Sequence, residues 1–362
     1  MGRASLEERD RRWRNIRQEM ARNGLDALLV VSDGHLERRG AMRYIADVHA
    51  TLMYGYVVFP LEGEPVAICS KEGWVKDRRP IAFRGGWIKE SELYAPAVAE
   101  VMKELKLEKA RVGIEGDLIP ALAYERLVKE LPEATFRWSK IVYELKTIKS
   151  PEELKLIEDG VEMVDKAFDA LLEFAGAGKT LNDMTSELCK KLYQLGTEDI
   201  GGYPLSHSNE VLKPGDIYNC YPEPQAPGGH WIQFGRLISI GEPKKELQTD
   251  WELNIKAQEQ AAEKLIPGNT GGDIMRAINE ALKGSKYTGS PRGSGHGVGL
   301  DLPERPFIAL DDETMLKPGM VVTIHPVFLP HPQVFEACAD MFVVTEGKPR
   351  KLSRITPEIK IV

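Results

Sequence analysis

The spacing of hydrophobic residues divides the chain into two blocks. The first block alternates amphipathic helical stretches with short apolar runs that are typical of buried strands. Its predicted helices lie near 6–24, 95–106 and 119–131, and its predicted strands lie at 26–32, 56–59, 66–69 and 111–114. We therefore expect an α/β domain at residues 1–142.

The second block opens with a recognisable helix start. Ser150 can serve as an N-cap, Pro151 suits the first turn, and Glu153 completes a capping box. Apolar residues spaced by three and four then mark one face of a long helix: Leu154, Ile157, Val161, Val164, Phe168 and Leu171. Two further helices are predicted at about 250–265 and 271–284. The block is expected to contain helices followed by strands, twice.

A Leu-Lys-Pro-Gly run occurs at 212–215 and returns 104 residues later at 316–319. A strand-like run follows each copy, and the sixth residue after each glycine is polar and precedes a proline: Tyr221 and His325. A repeat of this length is too long for a solenoid unit. It indicates two related half-domains whose matching strands direct side chains to one site. Strand alternation places His325 on the same face as Thr323.

Length and composition restrict the number of domains and the class of protein. A chain of 362 residues favours two domains, and 42% hydrophobic with 28% charged residues is typical of a globular protein. The net charge of −7 argues against nucleic-acid binding, and no apolar run is long enough to span a membrane. Four scattered cysteines and a charged N-terminus predict a reduced, cytoplasmic protein.

Three motifs characterise the second block. They are the linker at 145–153, the Gly-His-Gly-Val-Gly-Leu run at 295–300 and the repeated Leu-Lys-Pro-Gly run. Together they resemble the creatinase, aminopeptidase P and prolidase superfamily over most of residues 143–350. This resemblance implies an α+β architecture. An N-terminal creatinase-like domain at 1–142 would precede a "pita-bread" domain with pseudo-twofold halves at 143–362, and the molecule would be a homodimer.

Metallopeptidase members of this superfamily hold two divalent ions with Asp, Asp, His, Glu and Glu. Matched motif by motif, these positions fall on Tyr221, Gln233, His296, His325 and Ala339. Only the histidine is kept, and phenol, amide and imidazole groups supply no negative charge at pH 7 to neutralise two ions. We therefore predict no metal ion and no cofactor. A single zinc held by His296, His325 and a third histidine stays open.

The resemblance extends to the metal-free members creatinase and ectoine hydrolase. It implies metal-independent hydrolysis of a C–N bond (amide, ureido or amidine-like) in a small molecule. By position the acid/base histidine is His207, and His325 is the other candidate. His296 is the third catalytic candidate, since glycines on both sides would let the backbone approach a ligand. A neutral imidazole can take up a proton near pH 7.

Further side chains in these motifs are candidates for holding the substrate. Tyr221, Gln233 and His296 would bind it together with the tetrahedral oxyanion. His230 and Trp231 suggest aromatic walls. The remaining candidates would orient a histidine or bind a charged group of the substrate, and they are Glu223, Glu304, Glu336 and Arg292.

Two other functions stay open. One is an Xaa-Pro aminopeptidase or prolidase-type peptidase, against which the missing carboxylates count. The other is a pita-bread domain that binds a partner without catalysis. Retention of function after replacement of His207, His296 and His325 would favour the latter.

Overall fold

The computed structural model of the chain describes residues 2–32, 38–48, 55–69, 82–85, 94–116, 118–201, 208–290, 293–329 and 338–362. It divides into two compact units, Ala4–Lys146 and Thr147–Val362. The division predicted between residues 142 and 143 lies four residues earlier. None of the helices within these ranges is both long and apolar enough to cross a membrane.

The first unit folds around one mixed sheet. Its elements are α1 (Leu6–Arg22), β1 (Ala27–Ser32), α2 (Gly40–Ala46), β2 (Gly55–Pro60), β3 (Val66–Cys69), β4 (Ala82–Gly85), α3 (Ala95–Glu104), β5 (Arg111–Glu115), α4 (Ala121–Glu130), β6 (Thr135–Ser139) and α5 (Ile141–Thr147). The strand order is β4-β3-β2-β1-β5-β6. Every residue of β1 is buried, as its apolar run predicts. The sequence pattern missed α2, α5, β4 and β6, which are all short.

The second unit contains paired helices and several small sheets. Its elements are α6 (Pro151–Phe174), α7 (Leu181–Leu195), β7 (Asp199–Gly201), β8 (Ile217–Cys220), β9 (Glu223–Gln225), β10 (Arg236–Ser239), α8 (Lys245–Ala262), α9 (Gly271–Ala281), β11 (Thr288–Gly289), β12 (Gly295–Gly297), β13 (Glu304–Phe307), β14 (Val321–Ile324), β15 (Phe328–Leu329), β16 (Asp340–Val343), β17 (Arg350–Lys351) and β18 (Lys360–Ile361). The two main sheets have the orders β18-β10-β8 and β13-β12-β14-β16-β17.

The repeated Leu-Lys-Pro-Gly runs form equivalent turns. Gly215 and Gly319 both adopt left-handed backbone, with φ of 95° and 88°. The amide of Gly215 donates to the carbonyl of Ile240 beyond β10, and that of Gly319 donates to the carbonyl of Val344 beyond β16. The turns therefore lead into β8 and β14, which pair antiparallel with β10 and β16.

The helices before these turns repeat as well. Thr180 caps α7 and Thr270 caps α9, each in a capping box with an aspartate three residues later. Thr180 also bridges to Val211, just before the first turn, and Thr270 bridges to Met315, just before the second. The second unit is thus two copies of a helix–helix–turn–strand arrangement, which confirms the predicted halves.

Helix α7 is absent from the prediction, whereas α6, α8 and α9 were predicted within a few residues. Its capping box uses Asp183 where the usual pattern has glutamate or glutamine. Its buried side chains are few and include Met184, Leu188 and Leu192. The sparse apolar stripe made this helix harder to recognise than α6.

Strand alternation gives the two halves a common inner and outer face. In β14, Val322 and Ile324 join the core beneath α8 and α9. In β8, Tyr218 is buried, and its hydroxyl lies 3.2 Å from that of Thr185 on α7. Because side chains alternate along a strand, the intervening residues face the opposite side. That side carries Asn219 and Tyr221 in the first half, and Thr323 and His325 in the second.

Candidate functional site

Four of the residues predicted for the site lie together on this opposite face. The rings of Tyr221 and His325 are 6.3 Å apart, and those of His325 and His296 are 5.3 Å apart, between centroids. Nε2 of Gln233 lies 2.9 Å from the Tyr221 hydroxyl. The equivalent ends of β8 and β14 therefore converge, and β12 and the segment before β10 each add one residue.

Gln233 connects the tyrosine to a carboxylate. Its Nε2 donates to Oε1 of Glu223 at 2.6 Å as well as to the Tyr221 hydroxyl. An amide nitrogen has two hydrogens, so both are engaged. The backbone amide of Gln233 lies 3.2 Å from Sδ of Met341 on β16. These contacts hold the side chain in one orientation, with Oε1 as its remaining hydrogen-bonding atom.

The hydrogen bond of His296 defines its tautomer. Nδ1 of this ring lies 2.9 Å from the carbonyl oxygen of Gly297. A carbonyl oxygen only accepts hydrogen bonds, so Nδ1 carries the hydrogen. In the neutral ring Nε2 then holds the lone pair, which is the atom able to accept a proton.

Both histidines are held in the neutral form. Burial lowers the pKa of His296 to about 4, partly opposed by the Gly297 carbonyl and the negative charge of Glu304. Burial lowers the pKa of His325 to about 3, and the adjacent His296 lowers it further. His325 is almost fully buried and His296 keeps partial exposure. At pH 7 the pair is therefore uncharged and can accept hydrogen bonds.

His230 contacts a helix of the second unit. Its neighbours Ile232 and Phe234 point to α6, where Ile232 packs over Gly160 and Phe234 contacts Phe168. Nε2 of His230 lies 3.8 Å from Glu153, also on α6. His230 thus lies beside the helix, and its role in the substrate site stays a prediction. Trp231 is fully buried, and its backbone amide donates to Gly299.

Glu304 serves packing rather than substrate contact. Its Oε2 lies 2.7 Å from Nζ of Lys149, and both side chains are almost completely buried. Its Oε1 accepts from the backbone amide of Asp301 at 3.3 Å. A buried carboxylate paired in this way is committed to the protein, and we correct the expectation that Glu304 binds the substrate.

The glycines beside His296 admit neighbouring backbone instead of a ligand. A Cβ at Gly295 would lie 2.2 Å from the carbonyl oxygen of Thr323, and one at Gly297 would lie 2.2 Å from that of Arg305. Both contacts are with adjacent strands of the sheet. The glycines do allow a close approach, as the sequence predicted. The group that approaches is the backbone of β14 at Gly295 and of β13 at Gly297, and not a ligand.

Some predicted residues cannot be located. His207, Arg292 and Glu336 lie outside the described residues. The sequence reading missed two buried residues: Met341, which contacts the backbone of Gln233 at the site, and Lys149, which is the structural partner of Glu304. Strand alternation from Ala339 indicates Met341, whereas no local pattern points to Lys149.

Cys220 faces the helices, and burial raises the pKa of its thiol, so it is a poor nucleophile.

Among the described residues, the side chains at the matched positions do not fit the two metal ions that the superfamily resemblance implies. Ala339 has no donor atom, and it faces Gly235 through two backbone hydrogen bonds of 3.1 and 3.2 Å. Glu223 is the carboxylate in contact with Gln233. The side chains of Gln233, Tyr221 and the two histidines are uncharged and do not neutralise metal ions. No group of three or more His, Cys, Asp or Glu suited to a metal occurs among the described residues.

Comparisons with known proteins cover nearly the whole chain. Residues 12–145 match the Creatinase/Prolidase N-terminal domain, and residues 155–346 match the Metallopeptidase family M24. The chain is 25% identical to an Xaa-Pro dipeptidase of Pyrococcus horikoshii, over 96% of this chain and 97% of that protein. It is 24% identical to a creatinase of a Bacillus species, over 90% and 84% of the two chains. The solved structure of X-Pro aminopeptidase from Thermotoga maritima matches with a TM-score of 0.83 and 18% identity, over 97% and 99%.

Proposed function

This chain belongs to the Metallopeptidase family M24, and we propose that it is a hydrolase that cleaves a C–N bond of a small molecule without a metal ion. Family membership and the two-domain α+β, pita-bread architecture confirm the sequence resemblance. The observation that carries the proposal is the replacement of metal-binding carboxylates by the neutral cluster of Tyr221, Gln233 and His325. His296 is the family ligand that remains.

The neutral histidines supply the proton transfer in this proposal. One imidazole takes a proton from water while the water oxygen bonds to the substrate carbon. Burial lowers the pKa of His325 to about 3 and that of His296 to about 4, so the neutral imidazole is a weak base and the imidazolium formed during the reaction is a ready proton donor. It then returns the proton to the leaving nitrogen as the C–N bond breaks. His207, the other predicted acid/base, remains a prediction.

Tyr221 and Gln233 have different roles in binding. Both hydrogens of the Gln233 amide are engaged by Tyr221 and Glu223, so this nitrogen is a poor donor for an oxyanion. The Tyr221 hydroxyl accepts from Gln233 and directs its own hydrogen to another acceptor. During reaction we assign that acceptor to the developing oxyanion. Gln233 thereby positions Tyr221 and offers Oε1 to the substrate.

The proposal is tested by metal analysis together with a substrate panel. Purified full-length protein should contain less than one equivalent of metal, and chelator treatment should leave activity towards amides or ureido compounds unchanged. Two ions per chain, with activity lost to the chelator and restored by divalent metal, would refute the proposal.

A peptidase is the second candidate, supported by the similarity to an Xaa-Pro dipeptidase and an X-Pro aminopeptidase. Hydrolysis of Xaa-Pro dipeptides by the same preparation would favour it. A non-catalytic binding domain would be favoured if replacing His296 and His325 left all measurable function intact. The homodimer, the small-molecule partner and the cytoplasmic location expected from the sequence stay predictions.

A further inference from the structure

His325 lies just outside a strand, so its direction depends on the segment that follows the strand. β14 ends at Ile324, and β15 begins at Phe328. His325 therefore belongs to the connection at 325–327, although it is almost fully buried. A residue inside a strand is held by the hydrogen bonds of the ladder, whereas the backbone of a buried connection needs other partners. Those partners determine where the imidazole is placed.

Two amide side chains of α8 bind the backbone on both sides of His325. Nε2 of Gln258 donates to the carbonyl of Ile324 at 2.9 Å, and Nδ2 of Asn254 donates to the carbonyl of Pro326 at 2.9 Å. The two amides are four positions apart, so they lie on the same face of the helix. We call these two side chains the α8 amide pair.

The α8 amide pair restricts the backbone of His325 from both directions. The peptide unit before His325 is held at its oxygen by Gln258, and its N–H donates to the carbonyl of Ser294 at 2.9 Å. A peptide unit is planar, so holding it at two atoms determines its orientation. After the histidine, the ring of Pro326 restricts φ to about −65°, and Asn254 holds the next carbonyl. The direction of the His325 side chain follows from these contacts.

Apolar side chains would suit these two helix positions if packing were their sole role. Ala257 and Ala261 lie on the same part of the helix surface and are completely buried in the apolar core. Asn254 and Gln258 are 7% and 2% exposed, and a buried amide is unfavourable unless its polar atoms are bonded. Gln258 uses both hydrogens of its amide, since Nε2 also donates to the carbonyl of Cys338 at 3.3 Å.

The amide of Asn254 is less well satisfied than that of Gln258. Its Oδ1 is buried and has no hydrogen-bond partner among the described residues. A buried acceptor without a partner lowers stability. Residues that are unfavourable for stability concentrate at functional sites. The bond that Asn254 makes to the backbone beside His325 gives this unfavourable residue a role.

We infer that Asn254 and Gln258 are positioning residues for His325. They act through the carbonyls on either side of the histidine and keep its imidazole beside that of His296, with 5.3 Å between ring centroids. A displacement of about 1 Å in a catalytic group can lower a rate by about 10²-fold. The inference rests on the proposed function, because it concerns the catalytic placement of His325.

The first test measures kcat and KM of variants that remove one amide. Gln258→Met keeps the length of the side chain and removes its donor. We expect kcat for the hydrolysed amide or ureido compound to fall about 10- to 100-fold, with little change in KM. Asn254→Leu, which also keeps the approximate size, should lower kcat in the same way and replaces the first variant if that one folds poorly.

Gln248→Met is the matched control. Gln248 lies on the same helix, and its Nε2 also donates to a backbone carbonyl, that of Pro243 at 3.3 Å, before the start of α8. This variant should leave kcat unchanged. Unchanged kcat in both Gln258→Met and Asn254→Leu would overturn the inference.

A double variant separates positioning from general destabilisation. In a protein that carries His325→Gln, the imidazole is absent and the α8 amide pair has no catalytic group to place. Adding Gln258→Met should then lower the residual kcat by less than about 2-fold, because coupled residues do not have additive effects. A general packing defect would lower kcat equally with and without His325, and that result would overturn the inference.

NMR of the resting protein gives a second readout that involves no turnover. Full-length, chelator-treated protein is labelled with carbon-13 at the histidine Cε1, and the signal lost in His325→Gln is that of His325. At pH 8, where ordinary histidines are neutral, Gln258→Met should shift or broaden this signal and Gln248→Met should not. An unchanged signal in both Gln258→Met and Asn254→Leu would overturn the inference, as would an equal shift in the control.

The two readouts distinguish failure of the inference from failure of the proposed function. A metal requirement in the activity assay would refute the proposed function. The NMR comparison would still decide whether the α8 amide pair places His325, because it uses metal-free protein and no substrate.

Discussion

The two halves of the second unit place different side chains at equivalent positions. The turns at Gly215 and Gly319 have the same backbone and the same type of hydrogen bond, and the strands after them have the same face orientation. One strand ends in Tyr221, which is bonded to Gln233, and the other in His325, a neutral imidazole beside His296. The repeated fold therefore fixes where a side chain points, and the residue type determines the chemistry.

The largest loss of activity is expected when His325 is replaced by tyrosine, the residue at the equivalent position of the first half. His325→Tyr removes an imidazole and should lower kcat/KM for the hydrolysed amide or ureido compound by about 10²- to 10⁴-fold. His325→Gln, which is close to histidine in size, should have a similar effect with less strain. Tyr221→Phe should have a smaller effect, because it removes one hydroxyl.

The reciprocal exchange sharpens this comparison. The double variant Tyr221→His/His325→Tyr keeps the composition of the site but moves the phenol away from Gln233. We expect activity to remain low, since the Gln233 amide bonds only one end of the pair. Full activity in the exchanged protein, measured on a correctly folded preparation, would show that the halves are interchangeable and would contradict the assigned roles.

The next effect concerns the contact that joins the halves. Arg236 on β10 is completely buried and its Nη2 lies 2.7 Å from Oδ1 of Asp340 on β16. It also donates to the carbonyls of Gly235 and Ala339, two residues that bridge the halves. Lys351 still pairs with Asp340 at 2.7 Å when Arg236 is removed, but the buried carbonyls of Gly235, Ala339 and Ile355 lose their donor. Arg236→Met should therefore lower the free energy of unfolding by about 3 kcal/mol.

Urea denaturation measures this loss. Lys190→Gln removes an exposed ion pair on α7 and serves as the control, for which no measurable change is expected. A loss no larger than that of the control would mean that the sheets of the two halves do not depend on this pair.

The sequence predicted the repeat and the convergence of Tyr221, Gln233 and His325, because strand parity and turn chemistry are local. It failed where contacts join distant residues. Lys149 and Glu304 are 155 positions apart, and no periodicity indicates their pairing. The contact of His230 with α6 was not predicted either, because the segment before β10 has little regular structure and its direction follows from packing on this helix. The low pKa values of the histidines depend on burial, which single-residue patterns do not reveal.

A further difference between the halves is that the second has the imidazole of His325 where the first has the phenol of Tyr221. The folded-state pKa of His325 is about 3, well below the ordinary histidine value of 6.5. Between these values the unfolded chain binds a proton that the folded chain excludes, so stability should fall as pH falls from about 6.5. At pH 5 one such histidine lowers the free energy of unfolding by about 2 kcal/mol.

His325→Gln should make the decline between pH 7 and pH 5 shallower, as followed by urea midpoints. Measurements at pH 8, where the histidine is neutral in both states, separate the packing cost of the substitution. Parallel curves for the two proteins from pH 8 to pH 5 would contradict a buried neutral imidazole at this position.

The smallest effect compares the two turns directly. Gly215→Ala and Gly319→Ala each place a side chain on left-handed backbone, which costs about 1–2 kcal/mol. A Cβ at position 215 meets nothing within 4 Å, whereas one at 319 lies 3.1 Å from Ile148 Cγ2 and from the carbonyl oxygen of Lys149. Gly319→Ala should therefore be the more destabilising of the two in urea denaturation. Because the backbone cost is shared, the difference between the variants isolates the packing of the second turn, and equal losses would show that Ile148 moves aside without cost.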